Sequence, residues 1–232
     1  ARIRAASREI GTSVNSFLLM QLDGAIRSAL ADPSQPVPWM IPVNLRGKVT
    51  QPRDEENHTS YVAVRIGASN TVREVHEAIH TKLKRGEHWA PWKSYHTGNA
   101  LPIKLKQHLL QTDRAVSHWC IGSFSNLGVW DDARWAHDPR FQGAWLFAPL
   151  PLRCQPLGVG CVTFRGQLSL TIQLHPDLSS DPAVPRRWLH DWKSRIATFR
   201  PAGAPAAAAH PGIPQVGPSH RQLEFSRSAP SG

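Results

Sequence analysis

The sequence predicts an α/β fold, a two-layer sandwich of helices on a mixed β-sheet. Three observations carry this reading. Segments with apolar residues every three or four positions are interspersed with short apolar runs rich in β-branched residues. Two late runs flank Arg165-Gly166, a two-residue connection suited to an antiparallel hairpin, although Arg is not the favoured first turn residue. Strict strand–helix–strand alternation is absent, which argues against a doubly wound parallel sheet.

Taken in order, residues 3–10 form a short amphipathic helix ended by Gly11, and Thr12 or Ser13 caps the next helix. That helix runs from Val14 to Leu30, with Val14, Phe17, Leu18, Leu22, Ala25, Ile26 and Ala29 at core spacing. Pro33, Pro36 and Pro38 end any helix. Strands are expected over Trp39–Leu45 and Tyr61–Ile66, separated by a polar loop over 49–59. Val72–Lys84 reads as a helix capped by Thr71, with Val72, Val75, Ile79 and Leu83 on one face. Residues 86–99 read as a connection without a clear period, followed by a helix over 101–110. Further strands are expected over 117–124, 144–149, 158–164 and 168–174, with a loop over 129–142. Residues 182–199 close the fold as an amphipathic helix carrying Trp188, Leu189, Trp192 and Ile196.

At 232 residues and 41% hydrophobic content the chain can build a sizeable core, so one domain is expected over 1–200. From Pro201 the composition turns Pro-, Ala- and Gly-rich, so 201–232 reads as a flexible tail. The chain opens at Ala1 within a helical pattern and without Met, which suggests an upstream part. The net charge of +10 permits anionic partners. Its basic residues are dispersed, and no zinc-finger spacing or basic tract accompanies them, so nucleic acid is the least favoured partner. Cys120, Cys154 and Cys161 fit no disulfide scaffold or metal cluster; Cys120 and Cys161 read as buried thiols, which suits a cytoplasmic protein. No apolar run is long enough for a transmembrane helix.

The sequence contains no Gly-x-Gly-x-x-Gly, phosphate-binding loop, Gly-x-Ser-x-Gly or His-Glu-x-x-His; Gly158-Val159-Gly160 is a bare Gly-x-Gly. His76 and His80 have ligand spacing on one helix face but no evident third ligand, so they read as a solvated surface pair. Asp131, Asp132, His137 and Asp138 read as a polar loop. No metal site and no tightly bound cofactor are expected. Trp89, Trp92, Trp130, Trp135 and Trp145 either line an apolar cleft or pack on the sheet.

Two strand-end signals remain. One is Asn44-Leu45-Arg46-Gly47, the other Ser123-Phe124-Ser125-Asn126-Leu127-Gly128. Glycine permits close backbone approach and Ser or Asn supplies hydrogen bonds, which suits a cleft edge. The alternative readings are an ion-pair role for Arg46 and a turn cap for Asn126.

Taken together, Gly11-Thr12-Ser13-Val14-Asn15-Ser16, Pro42-Val43-Asn44-Leu45-Arg46, Ser125-Asn126-Leu127-Gly128, Phe164-Arg165-Gly166 and Leu174-His175-Pro176-Asp177 resemble, in order, the C-terminal half of the CoA-dependent acyltransferase superfamily. That superfamily includes peptide-synthetase condensation domains, wax-ester synthase-like enzymes and alcohol acetyltransferases. Ser16 stands where the family pattern has Asp. The resemblance implies a single chloramphenicol acetyltransferase-like lobe forming one wall of a channel. Its substrate would be an acyl-CoA or acyl-carrier thioester, the latter on an acidic carrier that suits a basic chain. Ser123, Ser125, Asn126 and Gly128 become channel candidates, while Asn15, Asn44 and Arg46 become structural ones. The family's general base lies in His-His-x-x-x-Asp-Gly of the N-terminal lobe. None of the twelve histidines here begins His-x-x-x-Asp. The resemblance therefore implies a lobe without catalytic residues, whose partner is an N-terminal lobe or, through the same exposed face, a second copy of itself. A non-enzymatic interaction module with the same half-fold is the alternative.

Overall fold

The computed structural model describes residues 2–49, 58–99, 101–105, 120–130 and 143–200. The tail from 201, residues 117–119 of the expected third strand, the end of the helix expected over 101–110, and Asp131, Asp132, Trp135, His137 and Asp138 lie outside them.

Five strands form one mixed sheet. They are β1 (Val37–Asn44), β2 (Thr59–Ile66), β3 (Gly122–Val129), β4 (Leu157–Phe164) and β5 (Gln167–Leu174), in the order β2-β1-β3-β4-β5. The central strands β1, β3 and β4 run parallel, and β2 and β5 pair antiparallel at the two edges. Helices α1 (Arg2–Glu9), α2 (Val14–Ile26, followed by a 3-10 turn over Arg27–Ala29), α3 (Val72–Lys84), α4 (Trp89–Asn99) and α5 (Ala183–Thr198) complete the described elements. With α2, α3 and α5 packed in one layer over the sheet, the structure is the two-layer α/β sandwich with a mixed sheet.

Local chemistry explains the helix bounds. Ser13 caps α2 by accepting the Ser16 N–H at 3.1 Å. Thr71 and Glu74 form a reciprocal capping box at the start of α3. Leu18, Leu19, Leu22 and Ile26 are fully buried because α2 lies between α3 and α5, so nearly its whole circumference is apolar. The core joins this helix to Trp39, Ile41, Val62, Val64, Phe124, Val159 and Cys161 from one face of the sheet, and to Trp192 of α5.

β1 contains Pro38 and Pro42, unusual in an interior strand because proline has no N–H for the ladder. The Pro38 carbonyl accepts the Ile121 N–H, so the edge lacking donors faces β3. Pairing there is accordingly short, with Trp39 opposite Gly122 and Met40 opposite Ser123. Pairing with β2 runs the full strand.

Two expectations are corrected. Residues 86–99 contain a helix, α4, which accommodates Pro91 in its first turn, where no N–H partner is needed. Residues 144–149 are not a strand. Trp145, Phe147 and Pro149 turn inward while Leu146 and Leu150 are exposed, so the segment alternates like a strand without joining the ladder. The Arg165-Gly166 hairpin stands as expected, with both residues at positive φ.

Candidate functional site

Parallel pairing of β1, β3 and β4 places both strand-end signals on the same edge of the sheet. At β1 the Asn44 side-chain oxygen accepts the Arg46 N–H at 2.9 Å, and Gly47 continues the turn at φ 74°. Leu45, between them, is fully buried, while Asn44 and Arg46 are exposed.

At β3 the strand alternation divides the predicted residues. Phe124 and Asn126 point to the helical side, and Ser123 and Ser125 to the other face. Phe124 is completely buried, with its ring 6.3 Å from that of Trp192. Beyond it the pairing slips. Asn126 lies opposite Cys161 and Val129 opposite Thr163, so β3 spends one residue more than β4. Gly128 absorbs this bulge at φ 77°. The Asn126 side-chain oxygen accepts the Gly128 N–H at 2.9 Å, fixing the bulge and leaving its Nδ2 amide as the remaining donor.

Asn126, Gly128 and Thr163 line a cavity of about 450 Å³ whose opposite side is Arg2, Arg4 and Val14. Among the described residues, two guanidinium groups and no carboxylate line it, so it favours anionic or strongly polar acceptor groups. The arginines come from α1, far from β3 in sequence, and no motif marked them. Asn15, half-buried in the first turn of α2, is outside this lining. Ser123 and Ser125 are held apart from Asn126 by the thickness of the sheet.

The other face of β4 carries a feature the bare Gly-x-Gly concealed. Residues 147–149 cross it so closely that a Cβ on Gly158 would overlap the Pro149 carbonyl, and one on Gly160 the Phe147 carbonyl. Thr171 of β5 donates its hydroxyl to the Phe147 carbonyl. Trp145 stacks on Phe164 with centroids 5.0 Å apart, and Trp130 lies 5.4 Å beyond Trp145. Trp92 is buried in contrast.

His76 departs from the expected solvated pair. Its Nδ1 lies 3.1 Å from the Ser16 hydroxyl and 3.4 Å from the Ser13 N–H, so it accepts at the start of α2. Its ring is 4.4 Å from that of His80, which is exposed. Burial, then the neighbouring His80, lower its pKa below 6.5. Burial pushes the Cys120 thiol up to about 12, with Cys154 adding to the shift, and raises that of Cys161, so neither is a thiolate at neutral pH. Among the described residues, no group of three His, Cys, Asp or Glu could hold a metal ion, and no helix is long and apolar enough to cross a membrane.

No family model and no curated protein matches the sequence. Among solved structures, the chain is similar to the epimerization domain from the third module of tyrocidine synthetase B, at 16% identity and a TM-score of 0.47. The match covers 84% of this chain and 43% of that one, so the chain spans less than half its length.

Proposed function

We propose that this chain is one lobe of a thioester-dependent acyltransferase, which moves an acyl group from CoA or a carrier protein to a hydroxyl or amine. It provides a channel wall, and a second lobe provides the general base. The observation that carries this reading is the shared sheet edge. Asn44-x-Arg46-Gly47 and Ser125-Asn126-Leu127-Gly128, in the order of the family the sequence resembles, close parallel strands at the same end of the sheet, and Asn126 and Gly128 of the second line a cavity. The cationic, carboxylate-free lining suits a phosphate-bearing donor or a developing oxyanion.

In this role Asn126 orients substrate through Nδ2 while its Oδ1 holds the bulge. Ser123 and Ser125, on the far face, act on substrate only if the channel reaches that side. Asn44 shapes the β1 turn. A positioned general base contributes about 10²–10⁴-fold, so the lobe alone is slow. Its partner is an N-terminal lobe bearing His-His-x-x-x-Asp.

Substitution at Asn126 separates channel from turn. Asn126→Asp keeps the Oδ1 acceptor for Gly128 and removes the Nδ2 donor. In the two-lobe protein it is expected to leave the unfolding midpoint unchanged and lower kcat/KM by about 10–100-fold, the loss of one or two directed hydrogen bonds. Full kcat/KM in both Asn126→Asp and Asn126→Ala would remove Asn126 from the channel.

A further inference from the structure

A second cavity, of about 330 Å³, lies on the helical side between α1, β5 and α5. Its floor is the fully buried Phe17, and its walls are Ile3, Leu168, Leu170, Ile196 and Phe199, all half-buried. The trough exists because α1 packs mainly on α2 and leaves a gap to α5. Arg2 spans that gap, its guanidinium donating to the Ala197 carbonyl at 3.0 Å. Lys193 stands with Arg2 in the lining, and among the described residues no carboxylate does. The trough shares Arg2, Ile3 and Leu168 with the cavity beside Asn126, whose lining adds Arg4 and is also free of carboxylates.

We propose that this trough binds a single-chain anionic amphiphile, with its hydrocarbon tail along Phe17, Leu170 and Phe199 and its carboxylate or phosphate head between Arg2 and Lys193. The volume selects a chain of this kind. It falls at the lower end of the roughly 300–1,000 Å³ typical of small-molecule sites, whereas a docking helix about 10–12 Å across needs a broader groove. The charge selects the head. Two cations beside an apolar lining, with no acid among the described lining residues, attract an anion and repel a cation. Lys193 adapts to either head as a mobile point charge, and Arg2 is already oriented by Ala197. Binding here requires no acyl transfer, although the trough adjoins the cavity beside Asn126 through Arg2, Ile3 and Leu168.

Titration calorimetry on the full chain, with octanoate, decanoate and dodecanoate below their micellar concentrations, tests this. Saturable binding of one molecule per chain is expected, tightening about three- to four-fold per added methylene until the trough is full. Dodecyl phosphate is expected to bind comparably, and dodecanol at least ten-fold more weakly. Lys193→Glu, at an exposed position, should weaken dodecanoate about ten-fold and leave dodecanol unchanged. Leu170→Trp should block both ligands; if it unfolds the chain, Ala6→Phe narrows the same trough from α1. Several molecules bound per chain, affinity independent of chain length, dodecanol binding as tightly as dodecanoate, or indifference to Lys193→Glu and the blocking variant would each overturn the proposal.

Discussion

Gly160 lies directly beneath the carbonyl of Phe147, with no room for a Cβ between them. This contact, repeated by Gly158 under Pro149, lets an extended segment lie on the face of β4 without joining the sheet. Gly160→Ala is expected to destabilise the fold by about 1–3 kcal/mol, as overpacking does, because the opposing atom is backbone. Gly143→Ala, where a Cβ meets open space, should change little. Urea midpoints at constant slope measure both. A neutral Gly160→Ala would show that residues 147–149 do not seat there.

Asp23 joins α2 to the central sheet. It is buried beneath α2, 2.9 Å from Trp39 Nε1 and paired with Arg27 at 2.5 Å. Arg27 in turn donates to the Ile66 carbonyl at 2.9 Å. Asp23→Ala removes the acceptor of the buried Trp39 Nε1 and the counter-charge of Arg27, which keeps the Pro33, Gln35 and Ile66 carbonyls, and is expected to cost about 3–5 kcal/mol. Asp23→Asn keeps an acceptor for Trp39 and should cost less. Burial outweighs these partners and raises the Asp23 pKa above 3.8. Protonation therefore favours the folded state at this site, and its contribution declines as pH rises through the folded value.

His76 predicts the opposite trend. Its folded pKa is lowered, by burial first and then by His80 and Arg73 against the opposing Glu77. The folded chain thus binds fewer protons than the unfolded one between that value and 6.5. Stability contributed by neutral His76 is complete above about 6.5 and is lost as pH falls through the window below it. Denaturation midpoints at several pH values should be flatter for His76→Gln, which keeps an acceptor for the Ser13 N–H and does not titrate. Identical pH profiles for the two proteins would contradict this role.

The legible elements were those in which local chemistry and tertiary packing agree. The Thr71 cap and the apolar face of α3 are both local, and the sequence marks them to the residue. The Asn126-x-Gly128 signal was equally visible, because a bulge needs a left-handed residue and a short side chain to hold it. Residues 144–149 misled because half-burial on a sheet face produces the same period of two as a strand. Helix α4 was obscured by Pro91 and by the lack of a consistent apolar face. Arg2 and Arg4 reach the cavity by tertiary packing, which no local pattern encodes. The coupling of His76 to Ser16 arises the same way, between helices sixty residues apart.

The most direct measurement of the proposed division of labour is thioester consumption coupled to acceptor acylation. It compares this chain alone with the chain joined to a second lobe carrying His-His-x-x-x-Asp. The chain alone is expected to turn over at least about 10²-fold more slowly than the joined protein, whose turnover falls to that level when the second His of that motif is changed to Ala. Turnover by the chain alone at ordinary enzymatic rates, roughly 1–10³ per second, would contradict the account.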